Sequence, residues 1–223
     1  MSWLETYDLF LFDLDGLLVN TEQLHFEAYS LLARRHGFDL GLNFVQYCAI
    51  AHRDSDGLRR YFISSLNDLV CCFPDWKALY EEKCQLYLQL LLGDHISLMP
   101  GVERLFTALA KEGIPRAIVT HSRAEQVSLI REKLPLLNSI PLWITREHYD
   151  QPKPAPDGYL FAIKQLGSAG HRTIGFEDTL RGVWSLVQSG VQAVMVTHSD
   201  NPHLLEAQAM KALHLTSLDE VPL

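Results

Sequence analysis

The sequence predicts an α/β protein: a doubly wound, Rossmann-like parallel sheet with an all-helical segment inserted after its first strand. Three observations predict this class. An apolar segment of four residues, 9–12, lies close to the start of the chain. From about residue 113 onward, short apolar segments alternate with amphipathic helical ones, as in parallel sheets covered by helices. Between these parts, residues 21–92 show helical spacing and no convincing strand.

The first strand is predicted where four consecutive apolar residues precede two acids and a glycine: Leu9–Phe12, then Asp13, Leu14, Asp15 and Gly16. A strand that is apolar throughout is typically buried on both faces of a parallel sheet. Because such a strand cannot hold charges in its middle, we expect both carboxylates to project from its carboxyl end. Ligands bind at this edge of open α/β sheets. Gly16 permits a sharp turn there and leaves room for a ligand.

The inserted segment is predicted to be helical throughout. Thr21 followed by Glu22 is typical of a helix start, and apolar residues then recur at helical spacing as far as Gly37. Further helical patterns cover residues 44–49, 56–67 and 76–92, and residues 93–97 are interpreted as a linker back to the sheet. We therefore predict an α/β core domain from residues 1–17 and 96–223, and a helical domain from residues 18–95.

The rest of the chain alternates strands with helices. Pro100-Gly101 introduces a helix that ends near Gly113. Later strands are predicted at 117–119, 142–144, 173–176 and 193–196, each followed by a helix, at 124–134, 157–166, 180–189 and 203–210. Strands joined by helices in this way pair in parallel, with helices on both faces of the sheet.

Composition and charge narrow the range of partners. The 223 residues carry a formal net charge of −8, which argues against nucleic acid and against an anionic membrane surface. No apolar run approaches membrane-spanning length, and the N-terminus shows no signal-peptide pattern. The cysteines show no zinc spacing and are interpreted as reduced thiols of a cytosolic protein: Cys48, Cys71, Cys72 and Cys84. We expect a cytoplasmic monomer.

Polar residues also follow the second predicted strand. Thr120 ends that strand and precedes His121 and Ser122. A hydroxyl at a strand tip beside a helix start can hydrogen-bond a phosphate oxygen. The alternatives are ordinary: Thr120 also suits a strand, Ser122 also suits a helix cap, and His121 either contacts substrate or has a structural role.

Lys153 lies among prolines, in Lys153-Pro154-Ala155-Pro156-Asp157. Prolines make this loop stiff and extended, and Asp157 can cap the helix that follows. The ammonium group of Lys153 is suited to neutralising a phosphate and to offsetting crowded carboxylates. The alternative is an exposed lysine in a proline turn.

A second pair of acids, Glu177 and Asp178, follows the strand at 173–176. Two pairs of carboxylates at one edge of a sheet repel each other unless a hard divalent cation with oxygen ligands lies between them. Mg²⁺ is the usual such cation with phosphate substrates. The alternative is that the acids favour the N-terminus of the next helix through its dipole.

Together and in this order, these segments resemble the four motifs of the haloacid dehalogenase-like (HAD) phosphohydrolases: Asp13-Leu14-Asp15-Gly16, Thr120, Lys153 and Glu177-Asp178. The resemblance covers essentially the whole chain. The helical segment resembles the cap of the subgroup that contains β-phosphoglucomutase and phosphatases of the phosphoglycolate phosphatase type. The resemblance implies the strand order 5-4-1-2-3, with the first strand beside the point where the order reverses.

The resemblance also implies catalytic roles. Asp13 is the expected nucleophile, which forms an aspartyl-phosphate, and Asp15 is the expected general acid and base. Thr120 and Lys153 are expected to hold the phosphoryl oxygens. Mg²⁺ is expected to be bound by Asp178, assisted by Glu177, together with the Asp13 carboxylate and the Asp15 backbone carbonyl. Dehalogenases of the superfamily lack the second acid, so Asp15 favours phosphate esters as substrates.

Substrate selection is expected from the helical segment. β-Phosphoglucomutase-like members carry groups that assist substrate binding or catalysis at four positions of this segment. In this chain the residues there are Thr21, His25, Arg53 and Lys83. His121 and Ser122 complete the expected substrate-binding set. For each residue of the helical segment the alternative is surface solvation or a helix contact. Ala51 and Ser122-Arg123-Ala124 depart from the mutase pattern.

The resulting expectation is a Mg²⁺-dependent phosphatase that hydrolyses a small phosphorylated metabolite, such as a sugar phosphate, through an aspartyl-phosphate. The first alternative is a phosphohexomutase that uses the same intermediate to move phosphate within a sugar. The second is a catalytically silent HAD-like binding protein, because a fold does not determine a function.

Overall fold

The computed structural model describes residues 2–93, 96–167 and 172–223. Its strands are β1 (Leu9–Phe12), β2 (Arg116–Val119), β3 (Leu142–Ile144), β4 (Thr173–Glu177), β5 (Gln192–Val196) and β6 (Leu213–Leu215). They form one parallel sheet in the order β3-β2-β1-β4-β5-β6. This confirms the α/β class and the order expected for the first five strands. The edge strand β6 was not predicted, because His214 interrupts its apolar residues and no continuous apolar segment stands out.

α-Helices precede and follow each inner strand in sequence within the described part of the chain. Their bounds are α1 (Trp3–Thr6), α2 (Glu22–Arg35), α3 (Phe44–Ala51), α4 (Gly57–Ser65), α5 (Asn67–Val70), α6 (Trp76–Gly93), α7 (Val102–Lys111), α8 (Ala124–Lys133), α9 (Asp157–Leu166), α10 (Leu180–Gln188) and α11 (Leu204–Ala209). The helical pattern predicted over 56–67 is confirmed by α4, Gly57–Ser65, and is interrupted only near its end. Leu66 leaves the helical region, with φ −132° and ψ 40°, so α4 ends before it and α5 begins after it.

The first strand, β1, lies at the centre of the sheet and is fully buried. Phe10 and Phe12 stack on Phe176 of β4, with ring centroids 6.1 and 5.0 Å apart. The other two side chains of β1 join the apolar cluster on the opposite face. Phe12 is in register with Ile118 of β2 and with Phe176 of β4. The residues that follow these three strands therefore lie at one edge of the sheet.

The chain divides into two compact units: a sheet unit of residues 1–20 and 97–223, and a helical unit of residues 21–96. The two segments at the boundary of the sheet unit are paired. The Asn20 N–H donates to the Ser97 carbonyl (3.1 Å), and the Ser97 N–H donates to Asn20 Oδ1 (2.7 Å). Asp94 and His95 of the predicted linker lie outside the described residues. No helix in the described part of the chain has the length and apolarity needed to span a bilayer.

The helical unit is built around the packing of α2 against α6. Tyr29 of α2 contacts Tyr47 of α3 and Phe62 of α4, with ring centroids 6.1 and 5.5 Å away. α3 begins at a capping box: the Gln46 N–H donates to Asn43 Oδ1 (2.9 Å), and the Asn43 N–H donates to Gln46 Oε1 (3.0 Å). This capping box fixes the residue at which α3 begins.

Candidate active site

Asp13 and Asp15 follow β1 directly at the carboxyl edge of the sheet. The Asp13 N–H donates to the Phe176 carbonyl (3.1 Å), so pairing with β4 continues for one residue beyond the strand. Gly16 has a φ of 79°, and its N–H donates to the Val19 carbonyl (2.9 Å). The sharp turn predicted at Gly16 is therefore present, and it needs a residue that tolerates positive φ.

Lys153 is buried against the first acid, so the alternative of an exposed lysine in a proline turn is wrong. Its ammonium Nζ lies 2.5 Å from Asp13 Oδ1, 2.6 Å from Glu177 Oε1 and 2.8 Å from the Val119 carbonyl. Only 4% of the residue is exposed. One cation thus joins the ends of β1, β2 and β4.

Burial and charge act in opposite directions on this buried cluster. Burial raises the pKa of Asp13 from 3.8 to about 7, although the Lys153 ammonium opposes the shift and Glu177 and Asp15 reinforce it. Burial alone would lower the pKa of Lys153, but the carboxylates of Asp13 and Glu177 raise it above its usual value. Lys153 therefore stays charged, whereas Asp13 is poised to lose or gain a proton near neutral pH.

The second acid, Asp15, is held by two hydroxyl groups from the segment that follows β2. Ser122 Oγ donates to Asp15 Oδ2 (2.6 Å), and Thr120 Oγ1 lies 3.2 Å from the same oxygen. The Ser122 N–H in turn donates to Thr120 Oγ1 (2.9 Å). Ser122 is not a helix cap, because α8 begins after Arg123, whose N–H donates to Gln126 Oε1. The two hydroxyls thus orient the Asp15 carboxylate.

His121 contacts the backbone of the lysine loop. Its Nε2 accepts a hydrogen bond from the Lys153 N–H (2.8 Å). Burial lowers the pKa of His121 well below its usual value, and the nearby cations Arg181, Lys153 and Arg146 lower it further. A neutral ring with Nε2 as acceptor is the tautomer that this contact requires. Of the two roles considered for His121, the structure shows a contact that positions Lys153.

The loop itself is closed by Asp157, the residue that was expected to cap α9. Asp157 Oδ2 accepts from the Gln151 N–H (3.1 Å), and no side chain caps the N-terminus of α9. The expectation that Asp157 caps this helix is therefore wrong. The hydrogen bond instead spans the segment around Lys153, so it fixes the loop from its two ends.

Three carboxylates converge beside Lys153. One oxygen each from Asp13, Glu177 and Asp178 lies within 4.8 Å of the others, and all three residues are buried. Glu177 fills the space over Gly182, where a Cβ atom would lie 2.0 Å from the Glu177 carboxylate. The cap of α10 is Thr179, whose Oγ1 accepts from the Gly182 N–H (3.2 Å). The acids therefore face the cluster, and the helix start is satisfied by a neutral hydroxyl.

Two tyrosines that the sequence analysis did not single out support the site. Tyr159 of α9 is fully buried and donates from its hydroxyl to Glu177 Oε1 (2.5 Å). Tyr149 donates to the Thr120 carbonyl (2.9 Å). Burial raises the pKa of both phenols, and for Tyr159 the Glu177 carboxylate adds to the shift. Nothing in the local spacing distinguishes these residues from core aromatics, so only their partners reveal the role.

We expect Tyr159→Phe to lower the free energy of unfolding by about 1.5–3 kcal/mol, because a buried hydrogen bond to a charged acceptor is lost. Tyr149→Phe is the matched control, since its acceptor is a neutral carbonyl and its loss should be about 0.5–1.5 kcal/mol. Urea unfolding of both variants at pH 8 measures the difference. A loss for Tyr159→Phe no larger than for Tyr149→Phe would contradict the charged role of Glu177.

With this geometry established, comparison with known proteins decides the family. A sequence model of the haloacid dehalogenase-like hydrolase family matches residues 10–196. The chain belongs to this family. The matched range begins in β1 and ends with β5, so it includes every residue of the site described above.

Among its relatives, this HAD-family chain is 32% identical over 213 residues to hexitol phosphatase A of Escherichia coli, covering 95% of this chain and 92% of that protein. It is 27% identical over 210 residues to a phosphorylated carbohydrates phosphatase of Thermotoga maritima, covering 90% and 91%. A HAD hydrolase of Entamoeba histolytica has a similar solved structure, with a TM-score of 0.76, 28% identity and coverage of 96% and 95%.

The expected substrate-binding residues of the HAD helical unit are only partly brought together. Lys83 Nζ lies 2.7 Å from His25 Nδ1, and the His25 ring stacks on Tyr87 at 4.0 Å. Lys83 is 3% exposed, so it is not a solvated surface lysine. Thr21 is buried ahead of α2 without capping it through its side chain, and Arg53 is exposed beyond α3.

Proposed function

We propose that this chain is a Mg²⁺-dependent phosphatase that hydrolyses the phosphate ester of a small metabolite of carbohydrate or polyol type. The observation that carries the proposal is the contact of Lys153 Nζ with Asp13 Oδ1, beside an Asp15 held by Ser122 and Thr120. This arrangement supplies an oriented carboxylate nucleophile, a cation for the phosphoryl group and a second acid for proton transfer.

The residues present suit a magnesium ion. Asp13 and Asp178 offer hard carboxylate oxygens from two adjacent loops, and Glu177 lies within reach of both. Glu177 Oε1 already contacts Tyr159 and Lys153, so we assign Glu177 chiefly to holding the lysine. The Asp15 backbone carbonyl is the further ligand that we propose. When bound, Mg²⁺ supplies positive charge that neutralises the negative charge developing on the phosphoryl oxygens.

In the first step, an Asp13 carboxylate oxygen bonds to phosphorus while the ester oxygen leaves. Asp15 donates its proton to that oxygen, so the alcohol departs neutral. Lys153 Nζ and Thr120 hold the phosphoryl oxygens and offset their charge. In the second step, Asp15 accepts a proton from water, whose oxygen attacks phosphorus. The bond to Asp13 breaks and inorganic phosphate is released.

The substrate class is inferred from relatives and from the helical unit. The E. coli and T. maritima relatives are named as phosphatases of hexitols and of phosphorylated carbohydrates. We propose that Thr21, His25, Arg53 and Lys83 select the non-reacting part of the substrate. Their polar and cationic side chains suit a hydroxylated or anionic small molecule. Monomeric state and a cytoplasmic location stay predictions.

The test is phosphate release by the purified chain with Mg²⁺ across a panel of hexitol, sugar, glycerol and glycolate phosphates. We expect release that requires metal, with polyol and sugar phosphates ranked highest. Interconversion of sugar phosphate isomers without net release would instead establish the phosphohexomutase. Neither release nor interconversion from any member, with metal binding intact, would favour a silent binding protein.

The pKa of Asp13 predicts how metal binding depends on pH. Since burial raises this pKa to about 7 and Mg²⁺ requires the carboxylate, affinity should be constant above about pH 7. Below it, each pH unit should weaken binding about tenfold, and each ion bound should release about one proton. Calorimetric titration in buffers of different ionisation enthalpy measures both. An affinity that does not change between about pH 5.5 and pH 8 would contradict the raised pKa.

A further inference from the structure

A second group of metal-ligating side chains lies in the helical unit, apart from the site described above. It consists of Glu22 at the first residue of α2, Cys48 on α3, and His52 at the C-terminal end of α3. A carboxylate oxygen, the thiol sulfur and an imidazole nitrogen of these residues all lie within 4.8 Å of one another.

The helix geometry holds two of these ligands on one face. Cys48 and His52 are four residues apart, and the His52 N–H donates to the Cys48 carbonyl (2.9 Å), so the α-helical turn includes both. Glu22 comes from a different helix and lies 3.3 Å from His52 Nε2. Because α2 and α3 are separate elements, only the tertiary structure brings the three ligand atoms together.

The burial and hydrogen bonding of His52 indicate a metal ligand rather than a simple ion pair with Glu22. Its side chain is 12% exposed, and that of Glu22 is 18% exposed. Although His52 Nε2 is close to the carboxylate, this buried nitrogen makes no hydrogen bond of good geometry with the described residues. A buried ring nitrogen without such a bond costs free energy. A metal ion bound to it would remove that cost.

The donor set determines the class of metal. Thiolate sulfur and imidazole nitrogen are borderline-soft donors that favour Zn²⁺, whereas Mg²⁺ takes oxygen ligands and retains water. Three protein ligands leave a fourth tetrahedral position for water. The cluster therefore differs in chemistry from the all-carboxylate group at Asp13, Glu177 and Asp178.

We propose that Glu22, Cys48 and His52 form a binding site for Zn²⁺ or a similar borderline divalent ion, separate from the acidic cluster at Asp13, Glu177 and Asp178. On binding, the Cys48 thiol loses its proton to solvent and its sulfur bonds to the metal, beside Glu22 oxygen and His52 Nε2. The bound ion joins the start of α2 to the end of α3. Arg53 follows directly, so the ion also restrains the backbone that carries this proposed substrate residue.

Cobalt substitution tests the proposal on the full chain, with Mg²⁺ present to occupy carboxylate sites. One equivalent of Co²⁺ should produce a sulfur-to-cobalt charge-transfer absorption in the near ultraviolet, which ligation by oxygen alone does not produce. Zn²⁺ should then displace the cobalt and abolish the absorption. Zn²⁺ should also raise the Tm of the wild-type chain.

Matched variants locate the sulfur ligand. Cys48→Ser should abolish the absorption, whereas the double variant Cys71→Ser, Cys72→Ser should keep it, since those two cysteines are exposed. Glu22→Gln provides a nearly isosteric second test if Cys48→Ser fails to fold. Loss of an outer-shell group alone weakens metal binding about 10–100-fold, so loss of the Glu22 ligand should weaken Zn²⁺ binding at least about tenfold.

Several outcomes would overturn the proposal. If the wild-type protein shows no charge-transfer absorption with Co²⁺, no thiolate of the chain binds the metal. An absorption that survives Cys48→Ser, or that disappears with the Cys71/Cys72 double variant, places the metal elsewhere. If folded Glu22→Gln binds Zn²⁺ with unchanged affinity, the three residues are a Glu22–His52 ion pair with a neighbouring thiol and not a metal site.

Discussion

Asp13→Asn is expected to lower kcat for phosphate release by at least about 10⁴-fold. The amide is a poor nucleophile, and removing the nucleophile in other covalent mechanisms costs up to about 10⁶-fold. The side chain keeps its size, and Lys153 Nζ retains its contacts with Glu177 and the Val119 carbonyl. We therefore expect the variant to fold. Steady-state kinetics with the best substrate of the panel, together with circular dichroism, measures both quantities.

The control for this variant is Asp150→Asn, which makes the same chemical change at an exposed position of the sheet unit. Its kcat should stay within about twofold of the wild-type value, since surface substitutions have small effects. Substantial activity in folded Asp13→Asn would rule out Asp13 as the nucleophile. It would leave the family and the fold unaffected, because these rest on the sequence match and on the sheet order.

Lys153→Met is expected to be the most destabilising substitution in the site. The variant leaves Asp13 and Glu177 buried without the cation that joins them, and breaking a buried pair in this way costs about 3–5 kcal/mol. It also removes the charge that offsets the phosphoryl oxygens, so kcat should fall about 10³-fold. Urea unfolding without metal and kinetics with saturating Mg²⁺ measure the two effects.

The effect on stability has a defined pH dependence. Without the lysine, the pKa of Asp13 rises further, because Lys153 is the group that opposes the effect of burial. The carboxyl group is then neutral over a wider pH range. Relative to the wild type, the loss in Lys153→Met should therefore be largest near pH 8 and should shrink as the pH falls toward about 5.5.

The control is Lys164→Met, at an exposed position of α9 in the same unit. Its free energy of unfolding should stay within about 0.5 kcal/mol of wild type at both pH values. If Lys153→Met lost no more stability than Lys164→Met at pH 8, the ion pair with Asp13 would contribute nothing to folding.

Much of the sheet unit could be predicted from residue pattern alone. A fully apolar segment at 9–12 is expected to be buried on both faces, so it becomes an inner strand, and acids directly after it lie at the carboxyl edge of the sheet. Alternation of strands and helices then restricts the connections to parallel ones. Some elements escape this reasoning: His214 interrupts the apolar residues of β6, α1 has only four residues, and the break at Leu66 depends on one residue's backbone angles.

The partners of the site residues were decided by the tertiary structure. Lys153 lies 140 positions from Asp13, and its contact depends on a loop held by His121 and Asp157. The hydroxyl of Tyr159 reaches Glu177 only because α9 packs against β1, β2 and β3. A periodic pattern records which face of an element is buried, but it carries no information about which distant side chain meets that face.

The same distinction separates the two groups of ligands in this chain. Sequence alone determined the α/β class, the strand that carries Asp13 and Asp15, and the order of the segments by which the family is recognised, because each depends on local composition and spacing. In the group at Glu22, Cys48 and His52, only Cys48 and His52 share a local helical spacing, and Glu22 belongs to another helix. Only the packing of α2 against α3 brings its oxygen, sulfur and nitrogen within a metal's reach.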